Sequence, residues 1–142
     1  MGADTKYWIV CISKDHTLLA LKWGIIQACH GKRAPLARMK KGDGIIIYSS
    51  KFNISDPKST LRAFTAIGEI ADDDIYQYEI HPDFIPHRRK VNYFSAKEVP
   101  IEPLIDELDF IPNKRFWGYP FKYGFLEISK RDFELISSHM RG

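Results

Sequence analysis

The chain has 142 residues, 44% hydrophobic and 27% charged, a balance that excludes disordered and fibrous classes and fits one globular domain over residues 1–142, with its core between about 7 and 140. At this length folding removes roughly 68% of the unfolded chain's surface from water, so no disulfide or metal is needed to hold a core. Lys and Arg (21) exceed Asp and Glu (18) by three, too little to argue for an anionic partner without looking at where the charges lie.

Tyr7 to Ile12 is an unbroken aromatic and β-branched run, the pattern of a strand covered on both faces. Ser13 is placed to cap a helix from about Lys14 to Trp23, with Leu18, Leu19 and Leu21 toward the core and Gly24 as its stop. Ile25 to His30 reads as a second strand ended by Gly31, and Pro35 opens a short helix through Arg38 and Met39. Lys41 to Gly44 is a turn, Ile45 to Tyr48 a third strand, and Ser49 to Ser59, with its Asp56-Pro57 pair, a surface loop. In the long strand from Leu61 to Ile70, Gly68 marks a bulge or a close backbone approach. Alternation from Ile75 to Ile80 predicts another strand, joined to the long one as a hairpin, and Arg88 to Ser95 resumes the pattern. Pro103 begins a helical turn with Leu104, Ile105 and Leu108, Asn113 to Gly124 is an aromatic-rich loop, and Phe125 to Ile128 is the last strand. Ser129-Lys130-Arg131-Asp132 is similar to a capping box and opens a C-terminal helix with Phe133, Ile136 and Met140 on its apolar face. Six or seven short strands with small helices between them predict an α+β fold on a curved, partly closed sheet.

Eleven of the 21 basic residues fall in three stretches, 32–41, 88–90 and 114–122, while acids gather at 72–74 and 106–109. Any one such run also makes an ordinary solvated loop. Cys11 and Cys29 lie in apolar stretches, as reduced thiols of a cytoplasmic protein do, and the run from Tyr7 to Ile12 is too short for a signal segment or membrane span. The dinucleotide, P-loop, α/β-hydrolase and zincin signatures are all missing from the sequence. Cys29 and His30, adjacent on the expected strand, point to opposite faces and do not suit one zinc ion, so neither a metal nor a cofactor is expected.

Two segments carry binding chemistry. From Gly24 to Arg33 the chain passes into a Gly-hinged basic stretch, where Gln27 offers an amide donor and acceptor to a base edge and Lys32 and Arg33 offer charge to phosphates. The same amide also suits backbone partners inside the fold. From Asn113 to Tyr123, Lys114, Arg115 and Lys122 interleave with Phe116, Trp117, Tyr119, Phe121 and Tyr123, the composition on which bases of single strands or flipped nucleotides stack. Such rings also plug barrel ends. Arg88 and Arg89 follow the irregular 81–87 segment and are expected to meet phosphates, although strand alternation sends them to opposite faces, where one of them can instead support the fold.

The order and spacing of Tyr7-Trp8-Ile9-Val10, Gln27-Ala28-Cys29-His30-Gly31-Lys32, Pro35 to Asp43 leading to Ile47-Tyr48-Ser49, Phe64 to Gly68, and Trp117-Gly118-Tyr119 before Phe125 to Ser129 resemble the EVE domain of the PUA-like superfamily, in its small stand-alone prokaryotic form. The resemblance implies a curved mixed β-barrel flanked by short helices and related to YTH domains, which read N6-methyladenine in RNA, while some EVE domains read modified cytosine in DNA. It implies a reader with no catalytic residues, whose partner is RNA or DNA and not a membrane. Ser13, Gln27 and His30 then line a base pocket with Trp117 and Tyr119 stacking, and Lys32, Arg33, Arg88, Arg89 and Lys122 contact phosphates. The position two after Gly24, where YTH readers place a cage aromatic, is Ile26. A small PUA-like hydrolase acting on a nucleoside or amide is the alternative from enzyme chemistry, and Lys32 has no acidic neighbour in sequence to serve it. A protein-interaction module would use the same aromatic loop.

Overall fold

A computed structural model describes residues 5–56 and 58–142; residues 1–4 and Pro57 of the expected Asp56-Pro57 loop lie outside them. The strands are β1 (Tyr7–Cys11), β2 (Ile25–Ile26), β3 (Gly44–Lys51), β4 (Thr60–Ile70), β5 (Tyr76–Gln77), β6 (His87–Tyr93), β7 (Val99–Pro100) and β8 (Phe125–Ile128). The helices are α1 (Lys14–Trp23), α2 (Arg33–Ala37) and α3 (Lys130–Arg141), with 3-10 turns at Glu102–Glu107 and Tyr119–Phe121. Six strands follow one path, β2-β6-β4-β3-β1-β8, while β5 pairs with β6 and β7 with β4. β1 and β3 are parallel, which the crossover through α1, β2 and α2 permits, and their neighbours on the path are antiparallel. The sheet curls into a half-barrel with short flanking helices, the α+β PUA-like architecture.

Alternation along β1 divides the core into two layers. Trp8 and Val10 pack with Ala20 of α1, Leu36 of α2, Ile26, Ile45, Ile47 and Val91; Ile9 packs with Ile46, Phe64, Ile67, Leu104 and, from α3, Ile136 and Met140. The buried indole of Trp8 needs a polar partner and donates to Asp43 Oδ2 at 2.9 Å. The Asp43 carboxylate also accepts the amides of Lys6 and Lys40, so the Lys41 to Gly44 turn clasps the start of β1. Gly68 meets the expected close approach: a Cβ there would stand 2.4 Å from Asn92 O of β6.

Three departures matter for the site. α1 has the expected limits, but it packs through Thr17 and Ala20 and leaves Leu18, Leu19 and Leu21 exposed, because only small side chains let its axis approach the sheet. β2 ends at Ile26, and Cys29, His30 and Gly31 follow with φ of 50°, 63° and 83°, a left-handed turn and not a strand. β5 is two residues long and pairs with β6 instead of forming a hairpin with β4.

Candidate nucleic-acid interface

The ends of the sheet path approach each other at one point. Cys29 Sγ, just past β2, donates to Tyr123 O at 3.3 Å, and Gly124, which precedes β8, lies so close that a Cβ would be 3.3 Å from that sulfur. On the other side the turn is tied to β6: His87 N donates to Gly31 O at 2.9 Å, and Pro86 presses on Gly31. The mouth of the half-barrel is thus ringed by the 29–31 turn, the 119–124 loop and the start of β6.

Arg88 lies at this mouth and is 4% exposed. Its Nε donates to Gln27 Oε1 at 2.5 Å, and its guanidinium carbon is 5.1 Å from the Trp23 ring centroid and 4.3 Å from that of Tyr78. The two rings remain 49% and 54% exposed, and Nη2 of Arg88 is buried without a hydrogen-bond partner among the described residues. A buried guanidinium donor is costly to leave unpaired; Nε of Arg89 shares this condition inside the fold, whereas Nη2 of Arg88 lies beside two exposed rings. This corner offers a donor and two exposed ring faces to an acceptor on a planar group.

Arg89 points the other way. It is 2% exposed, and its terminal nitrogens donate to the carbonyls of Leu36 (3.0 Å), Met39 (2.5 Å) and Asp72 (2.6 Å), which pins α2 to β6. Burial lowers its pKa, opposed by the carboxylates of Asp73 and Asp72. The expectation that Arg88 and Arg89 meet phosphates is therefore corrected: alternation on β6 buries one against Gln27 and aromatic rings and the other against carbonyls.

The remaining expected residues divide between the mouth and other places. His30, Lys32 and Arg33 are exposed beside the mouth, on the 29–31 turn and the start of α2. Lys122 Nζ stands 5.5 Å from the Tyr119 centroid and 5.4 Å from that of Tyr123, both strongly exposed, so a cation sits over two free ring faces. Ser13 is buried at the start of α1, where its hydroxyl bonds Asp15 and its carbonyl accepts from Thr17, so it is committed to the helix start and not to a pocket wall. Trp117 packs with the second core layer and lies 5.9 Å from the Arg62 guanidinium, while Gln27 is bonded to Arg88 of β6 beside the first layer. The single pocket expected from Gln27 and Trp117 is thus divided between two places.

Sequence reasoning missed Trp23 and Tyr78, which converge on Arg88 through the pairing of β6 with β2 and with β5. It also missed the hydroxyls of buried Thr17 and Ser49 and half-buried Thr65, mutually bonded at 2.8 to 3.2 Å beneath α1, for which Thr17 among leucines was the one visible sign. Nucleophilic chemistry has little support at the cysteines. Burial, together with the Cys29 charge, pushes the Cys11 thiol up to about 12, and burial raises Cys29 despite the opposing Lys32, so both thiols stay protonated near neutrality.

The curled sheet with its short helices is similar in fold to a YTH domain. A YTH domain of Zygosaccharomyces rouxii MRB1 protein, solved in complex with N6-methyladenosine RNA, superposes with a TM-score of 0.61 over 95% of this chain and 86% of its own at 16% identity. The solution structure of Rpa0253 from Rhodopseudomonas palustris gives 0.58 over 95% and 92% at 14% identity. The chain belongs to the EVE domain family, whose model matches residues 6–139. Relatives include a UPF0310 protein of Bacillus licheniformis, 47% identical over 90% of this chain and 86% of its own, and one of Mycobacterium avium, 46% identical over 94% and 96%.

Proposed function

We propose that the protein is a non-catalytic reader of nucleic acid that holds one base, plain or modified, at the mouth formed by Gln27, Arg88, Trp23 and Tyr78. The observation that carries this reading is the buried Arg88 guanidinium, bonded to Gln27 and covered by two half-exposed rings, with Nη2 left without a hydrogen-bond partner among the described residues. A base edge set in the plane of the guanidinium supplies an acceptor to Nη2 through a ring nitrogen or carbonyl, with Trp23 or Tyr78 turned to stack on the base, and Gln27 adds its amide N–H as a second donor. His30, Lys32, Arg33 and Lys122 flank the mouth and carry the backbone, and Tyr119 and Tyr123 offer stacking to neighbouring bases. The fold shared with a YTH domain solved on methylated RNA supports the same partner class.

The reading is tested by fluorescence anisotropy with short labelled RNA and DNA strands, unmodified or carrying N6-methyladenine or 5-methylcytosine. Saturable binding that weakens with salt is expected, with a log–log slope of about −2 for three phosphate-facing cations on a single strand. Absence of binding to every strand at low salt overturns it.

A further inference from the structure

The opposite core layer carries a second concavity that the mouth does not use. Tyr48, Arg62, Arg115, Phe116, Trp117 and Phe121 line an open groove of about 360 Å³. Its floor is rigid: the Tyr48 and Phe121 rings are stacked, 4.1 Å apart and 8° from parallel, and Phe121 meets Phe110 edge-on at 5.7 Å. The loop behind it is fixed by the buried Asp132 carboxylate, which accepts the amides of Asp109 and Phe110 at 2.9 Å each. Two guanidinium groups border the space, Arg62 at 5.9 Å from the Trp117 ring and Arg115 at 5.4 Å from the Phe116 ring, and neither is in an ion pair among the described residues.

Arg62 is held in a conformation that arginine rarely adopts. The β3–β4 register shifts between Ser49 and Lys51, so Leu61 and Arg62 together oppose Ser50, and Arg62 has a φ of 59°. Glycine is the residue usually found at such a bulge. Backbone strain of this kind clusters at ligand-binding positions, and here it accompanies a cation at the edge of an aromatic cavity.

We propose that this groove binds a nucleotide unit, with the base laid on the Trp117 indole and the phosphate between Arg62 and Arg115. The ring walls suit any planar base, and the two guanidinium groups suit a phosphate through paired N–H donors. The volume lies in the range that encloses a small ligand. A free mononucleotide and a nucleotide at the end of a bound strand share this chemistry.

The test is the 1H–15N spectrum of the full chain titrated with 5′-AMP, adenosine or inorganic phosphate. With 5′-AMP the Trp117 indole signal and the amides of Ser50, Arg62 and Gly118 shift to saturation, and adenosine requires at least tenfold higher concentration. Arg115→Ala, on an exposed loop, removes that preference, and Arg62→Gly does the same while easing the backbone. Equal responses to 5′-AMP and adenosine, or a groove that stays silent, overturn the proposal. A second titration with a 5′-phosphorylated hexanucleotide separates the sources, since groove shifts at strand concentrations well below those needed for 5′-AMP assign the site to a strand and the reverse order assigns it to the free nucleotide. Because the readout is local to the groove, it succeeds or fails independently of strand binding at Gln27 and Arg88.

Discussion

Arg88 and Arg89 are consecutive on β6, yet one guanidinium lies against Trp23, Tyr78 and Gln27 and the other against the carbonyls of Leu36, Met39 and Asp72. Strand alternation sends one to the mouth and the other to a structural clamp. Substituting them should separate function from stability. Arg89→Ala leaves three carbonyls without their donors and is expected to cost about 3 kcal/mol in urea denaturation. Arg88→Lys keeps a cation but loses the planar stacking and the geometry toward Gln27, and should cost about 1 kcal/mol of stability while lowering strand affinity about tenfold in anisotropy titrations.

Gly31→Ala tests the shape of the turn that carries His30. Its φ is 83°, and a Cβ would stand 2.4 Å from Pro86 Cβ, so both backbone strain and a collision act against alanine. A loss of about 3 kcal/mol in denaturant unfolding is expected, along with weaker strand binding, because the turn also places Lys32 and Arg33.

Arg62→Gly should act in the opposite direction on stability. Releasing a non-glycine residue from left-handed backbone at the β4 bulge is expected to stabilise the fold by about 1 kcal/mol and to raise the melting temperature by about 3 °C. Calorimetry shows this directly, and an unchanged or lower melting temperature contradicts the strain assigned to Arg62.

The buried thiol gives an alkaline prediction. The Cys11 pKa rises from 9.0 in the unfolded reference to about 12 in the fold, so between these values the folded state holds a proton that the unfolded state has lost. Its contribution is complete below pH 9 and declines as pH rises, by at most about 1.4 kcal/mol per pH unit. Burial raises the Tyr48 and Tyr93 phenols and extends the same trend above pH 10. Chemical denaturation at pH 8 to 10.5 should show falling stability, with a shallower slope in Cys11→Ala.

Much of the fold was legible because its signals are local. The limits of α1, the Gly24 stop with φ of 64°, the Ser129 cap that accepts from the Asp132 amide, and β8 all follow from short runs of sequence. Tertiary geometry overrode local pattern elsewhere. The leucines of α1 form an apolar run, but the helix approaches the sheet through Thr17 and Ala20; Ala28 is buried beyond β2, yet the chain turns left-handed there to reach Gly31. Of the site, Gln27 and the cations Lys32, Arg33 and Lys122 were visible from composition. The placement of Arg88 under Trp23 and Tyr78 was not, because it depends on β6 pairing with β2 and, across the nine residues 78–86, with β5.

The most direct measurement compares Gln27→Ala and Lys122→Ala on two strands, the one bound best by the wild-type protein and the same strand made abasic at the recognised position. Gln27→Ala should lose about 1 to 3 kcal/mol on the intact strand and almost nothing on the abasic one, while Lys122→Ala should weaken both equally and reduce the salt dependence. Equal losses on both strands for Gln27→Ala would contradict a base held at Gln27 and Arg88.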